Sequence, residues 1–289
     1  MKRASVAVIP AAGFGTRFLP ATKAVPKELL PILHRPAIEF IFDDIVGAQI
    51  PESVLITSEN KSALAMHFSE APNLESHLKS NGSEHLLEQH QNLLSKTTIK
   101  YATQDRQLGL GHAVLQAEQL VGDRPFAVLL PDDILLGGSS FLTKMLAVSA
   151  QLKGSVLALK RVPPDMISRY GVVSASQIAA NQYRIHGIVE KPSIHDAPSD
   201  LAVIGRYILP PTIFHILRST PSGALGEIQL TDGIAKLIES EPVFGLIVEG
   251  DHYDVGTPQG MLACALTLGL EHAEMREHLL EIFRKWSQK

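Results

Sequence analysis

The 289 residues contain a single cysteine, Cys264. An internal disulfide is therefore excluded, and the apolar setting "MLACALTL", with no His or Asp at a catalytic spacing, predicts a reduced thiol in the core. No apolar run reaches the length of about 18 residues that a membrane-spanning helix needs, so no membrane partner is expected. The opening "MKRASVAVIPAAGFG" carries basic residues but breaks into glycines and an arginine where a secretion signal would stay apolar, and the expected location is the cytoplasm. Positive charge is not in excess either: 26 Lys and Arg face 30 Asp and Glu, a formal net charge of −4. No basic run is long enough to make a face, so a nucleic acid partner is not expected and any anion site must be local. G-x-S-x-G and H-E-x-x-H are both absent, which leaves a hydrolase without a nucleophile or a metal site. His67, His77, His85 and His90 fit no structural zinc spacing and read as a solvated helical face.

What is present is an ordinary globular composition, 45% hydrophobic and 19% charged. Apolar runs of strand length recur at 5–10, 53–58, 98–103 and 126–133, alternating with helical patterns. Ile38, Ile41, Phe42 and Ile45 share one helix face, with Pro36 at its first turn. Ala113, Val114, Ala117, Leu120 and Val121 repeat the spacing. The order predicts an α/β fold, a Rossmann-like, mainly parallel sheet flanked by helices, with ligands outside the carboxyl ends of its strands. After Ala150 strand-like segments follow one another with little helix between them, predicting an added β-rich face, mixed or antiparallel. Helical patterns return at Leu230, Ile234, Leu237 and Ile238, and residues 258–286 read as closing helices. No repeat and no flexible linker divides the chain. The expected organisation is one unit over 1–257, in halves of about 1–150 and about 151–257, followed by C-terminal helices at 258–289 suited to oligomer contacts. The polar segment 70–96 reads as an excursion over the surface.

The densest chemistry lies in "VIPAAGFGTRFLPATKAVPKELLPI", Val8 to Ile32. A strand ending at Pro10 runs into two glycines, whose freedom permits a tight turn with N–H groups facing an anion. The third glycine of a dinucleotide loop is missing, as is the Lys-[Ser/Thr] ending of a P-loop. What remains is a glycine turn beside Arg17, Lys23 and Lys27 in a segment stiffened by Pro20, Pro26 and Pro31. That suits a nucleoside triphosphate: one opposed charge pair at 4 Å contributes about 1 kcal/mol in water and about 4 at intermediate dielectric, so several fixed cations are needed.

"AAGFGTRFLPATKAVPKELLPI" closely resembles the signature of sugar-1-phosphate nucleotidylyltransferases, specifically the bacterial UTP–glucose-1-phosphate uridylyltransferases. The resemblance extends over residues 5–270, with further motifs in family order. It implies that Ala11, Ala12, Gly13 and Gly15 line the nucleotide and that Arg17 and Lys27 act on its phosphates. In "TQDRQLGLGHAVLQA" the family spacing selects Gln104, whose amide can pair with the N3–H and a carbonyl of uracil; thymine shares that edge, so UTP and dTTP both remain open. Gly109 and Gly111 would let the backbone close on the base, and His112 reads as structural. In "LLPDD" the resemblance makes Asp132 a ligand of Mg2+, which takes one or two carboxylates with phosphate oxygens, while Asp133 reads as a turn residue. "RYGVV" and "GIVEKPS" imply that the Gly171 backbone lines the sugar, Glu190 accepts from its hydroxyls and Lys191 reaches the phosphate of glucose 1-phosphate. "HYDVGTPQG" supplies Asp254 as a second metal ligand. In "GEIQLTD", Glu227 and Gln229 belong to sugar binding or to subunit contact, with Thr231 or Asp232 also suited to capping a helix. The expected partners are UTP and glucose 1-phosphate, in a homodimer or homotetramer. The open alternatives are a dTTP-using enzyme and a non-catalytic paralogue that binds a UDP-sugar.

Overall fold

Residues 2–223 and 226–287 are described by the structure, a computed structural model. Thirteen strands alternate with eleven helices among them. The strands are β1 (Val6–Pro10), β2 (Pro31–Ile32), β3 (Arg35–Pro36), β4 (Glu52–Thr57), β5 (Thr98–Thr103), β6 (Phe126–Leu129), β7 (Asp133–Leu135), β8 (Ser155–Arg161), β9 (Gly171–Ala179), β10 (Gln182–Glu190), β11 (Leu201–Leu209), β12 (Val243–Ile247) and β13 (His252–Asp254). The helices are α1 (Ala37–Gly47), α2 (Ser62–His67), α3 (Pro72–Ser80), α4 (His85–Lys96), α5 (Leu110–Leu115), α6 (Glu118–Val121), α7 (Gly138–Leu152), α8 (Thr212–Ser219), α9 (Leu230–Ser240), α10 (Pro258–Glu271) and α11 (Ala273–Ser287).

Nine strands form one sheet in the order β5-β4-β1-β6-β11-β8-β12-β10-β9. Strand side chains alternate between its faces, so Ala7 and Ile9 of β1 enter one core while Val6 and Val8 enter the other. The first core is closed by α1, α7 and α10 and the second by α5, α8 and α9. Burial on both faces explains why β1 and β6 read as unbroken apolar runs. The predicted parallel arrangement is found in β5, β4, β1 and β6. From β11 onward the pairing turns mixed, with antiparallel partners except for β8 with β12. The β-rich second half is thus a continuation of the same sheet, hydrogen-bonded to β6 through β11, and its far strand β9 bends back to touch β11 at Val172 and Ala202.

Local departures from the sequence reading have physical reasons. Pro36 precedes α1 in an extended conformation, and the four isoleucine and phenylalanine positions of that helix are fully buried. The spacing over 113–121 is carried by two short helices, α5 and α6, which still bury Ala113, Val114, Ala117 and Val121. The 70–96 excursion is the hairpin α3–α4; α3 buries nothing and α4 only Leu93. His77 and His85 are exposed there, as a solvated face requires. His67 and His90 depart from that reading: both turn inward and meet at Glu39. Cys264 is fully buried, and burial pushes its thiol up to about 11. No helix among the described residues is long and apolar enough to cross a membrane.

Candidate active site

Four neighbouring parallel strands end on the same side of the sheet, and each hands over directly to a polar segment. Gln104 follows β5, the turn bearing Lys61 follows β4, the glycine turn follows β1, and Asp132 lies three residues beyond β6. Two cavities open there. One, of about 340 Å³, is lined by Ala12, Gly13, Lys27, Gln104, Gly109 and Asp132. The other, of about 450 Å³, is lined by Arg17, Tyr170, Gly171, Glu190, Lys191 and Asp254. They share Leu110, Leu130, Asp132 and Gln229, so Asp132 stands on their common wall.

The turn after β1 is pinned before it becomes polar, since the Ala11 N–H donates to Ile56 O at 2.7 Å. Gly13 is open, with nothing within 4 Å of where a Cβ would stand. Gly15 has φ 66°, and a Cβ on it would press on Lys27 Cβ at 3.0 Å, so glycine there serves both conformation and packing. Three short 3-10 turns carry the chain to Lys27, and its neighbour Glu28 is held by a residue that the spacing did not single out. Lys61 Nζ, with a side chain 9% exposed, binds both carboxylate oxygens of Glu28 and the Ala11 carbonyl at 2.7 Å. Nothing in the sequence marks this pair, because Lys61 lies 33 positions from Glu28 and reads as an ordinary surface lysine.

Lys27 makes an ion pair with Asp132. Burial opposes both charges, yet the pairing prevails: Lys27, helped also by Glu28, is raised above its ordinary value and Asp132 is lowered below its own. Asp254 reaches this point through the pairing of β13 with β7, which sets it opposite Asp133. Its carboxyl is raised, first by burial and then by Asp133 and Asp132, with Arg169 opposing from 3.0 Å. Asp132 Oδ2 and Asp254 Oδ1 both lie within 3.0 Å of the place a Cβ on Gly256 would occupy. Two partly buried carboxylates converging on one point, one held ionised by Lys27 and the other raised by burial and by its acidic neighbours, form a hard-oxygen donor set that fits Mg2+. Asp133 has structural work instead, accepting from His252 Nε2 and from the Gly205 N–H. Arg17 is exposed, makes no hydrogen bond or ion pair among the described residues, and acts on Asp132 and Asp254 through its field alone.

Gln104 is 3% exposed. Its amide nitrogen donates to Gly109 O at 3.2 Å and to His112 Nδ1 at 3.0 Å, which commits both hydrogens and leaves the carbonyl oxygen as the group offered to a ligand. His112 is lowered by burial and by Arg106, which favours the neutral ring that can accept that bond. The structural reading of His112 thus gains a content: it orients Gln104. The glycines near it are explained differently from the sequence reading. A Cβ on Gly109 or Gly111 would strike Ile228 O at 2.7 or 2.8 Å, so the room they free is filled by the 227–229 backbone. Gly109 still lines the first cavity; Gly111 does not.

In the second cavity a Cβ on Gly171 would come within 3.3 Å of Glu190 Oε2, which shows how closely the β9 backbone approaches that carboxylate. Thr231 Oγ1 donates to Glu190 Oε2 at 2.7 Å, so the threonine orients an acceptor and does not cap α9. Gln229 Nε2 donates to Glu227 Oε2, and both residues line the first cavity. Lys191 has φ 45°, rare for a residue with a side chain and rarer before a proline, a local strain of about 1–3 kcal/mol. Its ammonium lies 3.3 Å from Glu190 Oε1 and its side chain is 57% exposed at the rim.

Comparison with known proteins agrees with this geometry. The family model described as nucleotidyl transferase matches residues 6–269. A UTP–glucose-1-phosphate uridylyltransferase (YngB) of Bacillus subtilis (strain 168) is 41% identical over 96% of this chain and 94% of its own. The UTP–glucose-1-phosphate uridylyltransferase 2 of Staphylococcus saprophyticus is 40% identical over 99% of both chains. Among solved structures, a UDP-glucose pyrophosphorylase complexed with UDP-glucose superposes with a TM-score of 0.85 at 35% identity, covering 93% of this chain and 100% of that one. A UTP-bound enzyme of the same name from Acinetobacter baumannii gives 0.89 at 35% identity, covering 97% and 98%. The glycine turn, the sheet that delivers it and these full-length likenesses place the chain in the nucleotidyl transferase family.

Proposed function

We propose that the protein transfers the uridylyl group of UTP to glucose 1-phosphate, giving UDP-glucose and pyrophosphate. The observation that carries this reading is the pair of cavities meeting at Asp132, with Lys27 on one side and Glu190 and Lys191 on the other. The first cavity takes the nucleotide. The free carbonyl of Gln104 accepts from the N3–H of uracil, a donor that cytosine lacks. The open backbone at Gly13 admits the triphosphate, and Lys27 on this side with Arg17 from the lining of the second cavity neutralises the pyrophosphate as it leaves. The second cavity takes the sugar phosphate, Glu190 accepting from its hydroxyls along the Gly171 backbone and Lys191 steering its phosphate. An oxygen of that phosphate attacks the α-phosphorus of UTP, the new P–O bond forming as the bond to the β-phosphate oxygen breaks. The attacking oxygen is already ionised, so no general base is needed and catalysis is positioning with charge neutralisation. Mg2+ would be held by Asp132 and Asp254, and when bound it supplies neutralisation of the crowded phosphate oxygens.

The nucleotide half then corresponds to residues 1–150 and the sugar half to 151–257, joined in one sheet. The helices after 258 leave Leu262 and Phe283 exposed, 61% and 43%, which supports oligomer contacts there. Pyrophosphate release measured over UTP and dTTP against several hexose 1-phosphates, with and without Mg2+, tests the assignment. Turnover with UTP and glucose 1-phosphate that stops when Mg2+ is removed is the expected result. Preference for dTTP would move the protein to the thymidylyl reaction, and no release with any pair would reject catalysis.

A further inference from the structure

A third cavity, of about 680 Å³, lies away from the active site and shares no lining residue with its two cavities. Its floor holds three side chains from three separate elements: Glu39 of α1, His67 at the end of α2 and His90 of α4. His67 Nε2 is 3.0 Å and His90 Nδ1 2.8 Å from the same oxygen, Glu39 Oε1, and the three ligand atoms all lie within 4.8 Å of one another. Glu39 is 5% exposed, and the two imidazoles are about one-fifth exposed. We infer that Glu39, His67 and His90 form a binding site for a divalent transition metal ion of the zinc type.

The donor chemistry favours this class of ion. Two imidazole nitrogens and one carboxylate oxygen suit zinc, whereas magnesium prefers oxygen alone. With ligand bonds of about 2.0–2.2 Å, tetrahedral donors stand roughly 3.3 Å apart; two of the three separations here are already near that value. The carboxylate is prepared for the role. Arg35 Nε occupies its other oxygen, Oε2, at 3.2 Å, and is itself anchored by Asp43 at 2.9 Å, as the outer partners of metal-bound carboxylates are. Phe68 backs both imidazoles, with ring centroids 4.9 Å from His67 and 6.3 Å from His90, and holds their planes. The open side faces the cavity, where water would complete the coordination. An ion there would also do structural work: it would tie α4 to α1, and so hold down the α3–α4 hairpin, which buries only Leu93 on its own account.

The test uses the untagged full-length chain, stripped with a chelator and titrated with Zn2+ and Co2+ separately. One equivalent of Zn2+ per chain should be retained through dialysis, and the thermal midpoint should rise by roughly 4 °C at a hundredfold excess over the dissociation constant. Co2+ should give the visible bands of a four-coordinate ion. His67→Gln with His90→Gln should abolish both signals, while Asp132→Asn should leave them intact. Absence of stoichiometric binding to the wild-type chain would mean that the cluster is a hydrogen-bonded triad only, and would overturn the inference. Retention of Zn2+ by the double variant, or its loss in Asp132→Asn, would do the same. If the double variant does not fold, the Co2+ spectrum and the Zn2+-dependent midpoint of the wild-type chain decide alone.

Discussion

At the scale of single residues, the site depends on groups to which the proposed mechanism gives no chemical step. Lys61 and Glu28 are a buried ion pair, 9% and 1% exposed, placed under the glycine turn on one side and Lys27 on the other. Removing one partner of such a pair strands the other charge, at a cost of about 3–5 kcal/mol. Lys61→Met should therefore lower the urea-denaturation free energy by that amount, and Glu28→Leu added to it should restore most of the loss; a single variant as stable as the parent would contradict the burial argument. Gly256 acts by what it lacks. A Cβ at this position would stand 2.7 Å from Asp132 Oδ2 and 3.0 Å from Asp254 Oδ1, where a cation is proposed to bind. Gly256→Ala should keep the fold, as judged by circular dichroism, and lose at least tenfold in turnover with a raised Mg2+ requirement. Neither the buried pair nor this glycine was legible in the sequence. The motif around Lys27 was, because a cluster of glycine, proline and cation is local, whereas a salt bridge over 33 positions and a missing methyl between two aspartates exist only once the chain is folded.

At the scale of elements, what could be read was periodicity and what could not was partnership. The strands at 6–10 and 126–129 were readable because their apolar runs are continuous and buried on both faces, though the run read as 126–133 overshoots its strand; that at 98–103 was readable from its β-branched and aromatic residues, with Lys100 among them. That β11 would join β6 and make a single nine-stranded sheet was not, since strand order is set by which edges meet and leaves no local trace. Edge strand β5 shows how such a meeting is secured. Glu52, at the start of β4, takes Lys100 of β5 at 3.0 Å and Arg124 at 2.8 Å. Burial raises its carboxyl, but the bonds from Arg124 and Lys100 outweigh that and lower it below its ordinary 4.5. A depressed carboxylate stabilises the fold above the unfolded value and loses that contribution as pH falls through the folded one. The two cations are about 40% exposed, so the network is screened and contributes no more than about 1 kcal/mol. Glu52→Gln should cost that much or less at pH 7, with the difference from the parent shrinking below pH 4.5. Urea midpoints at several pH values measure it, and a difference that grows on acidification would reverse the sign.

At the scale of the molecule, the sheet performs the juxtaposition that the reaction needs. Its parallel part ends at the first cavity and its antiparallel continuation carries Gly171, Glu190 and Lys191 round to the other side of Asp132. The sequence displayed the two halves as a change of texture after Ala150; their facing one another across one aspartate follows from the bend that brings β9 back to β11. If the two cavities take different substrates, as proposed, damage to one should be separable from damage to the other. Lys191 is the sharpest probe, since it is strained, half-exposed and paired with its neighbour Glu190 at the rim, so its loss leaves no buried charge behind. A charge-assisted contact to phosphate is worth about 1.5–3 kcal/mol, which corresponds to roughly a 10- to 150-fold loss. Lys191→Ala should weaken glucose 1-phosphate by about that factor and reduce turnover, while the dissociation constant of UTP, measured by calorimetry without the sugar phosphate, stays within about twofold of the parent. If UTP binding fell in parallel, Lys191 would belong to the nucleotide side and the division of labour across Asp132 would have to be redrawn.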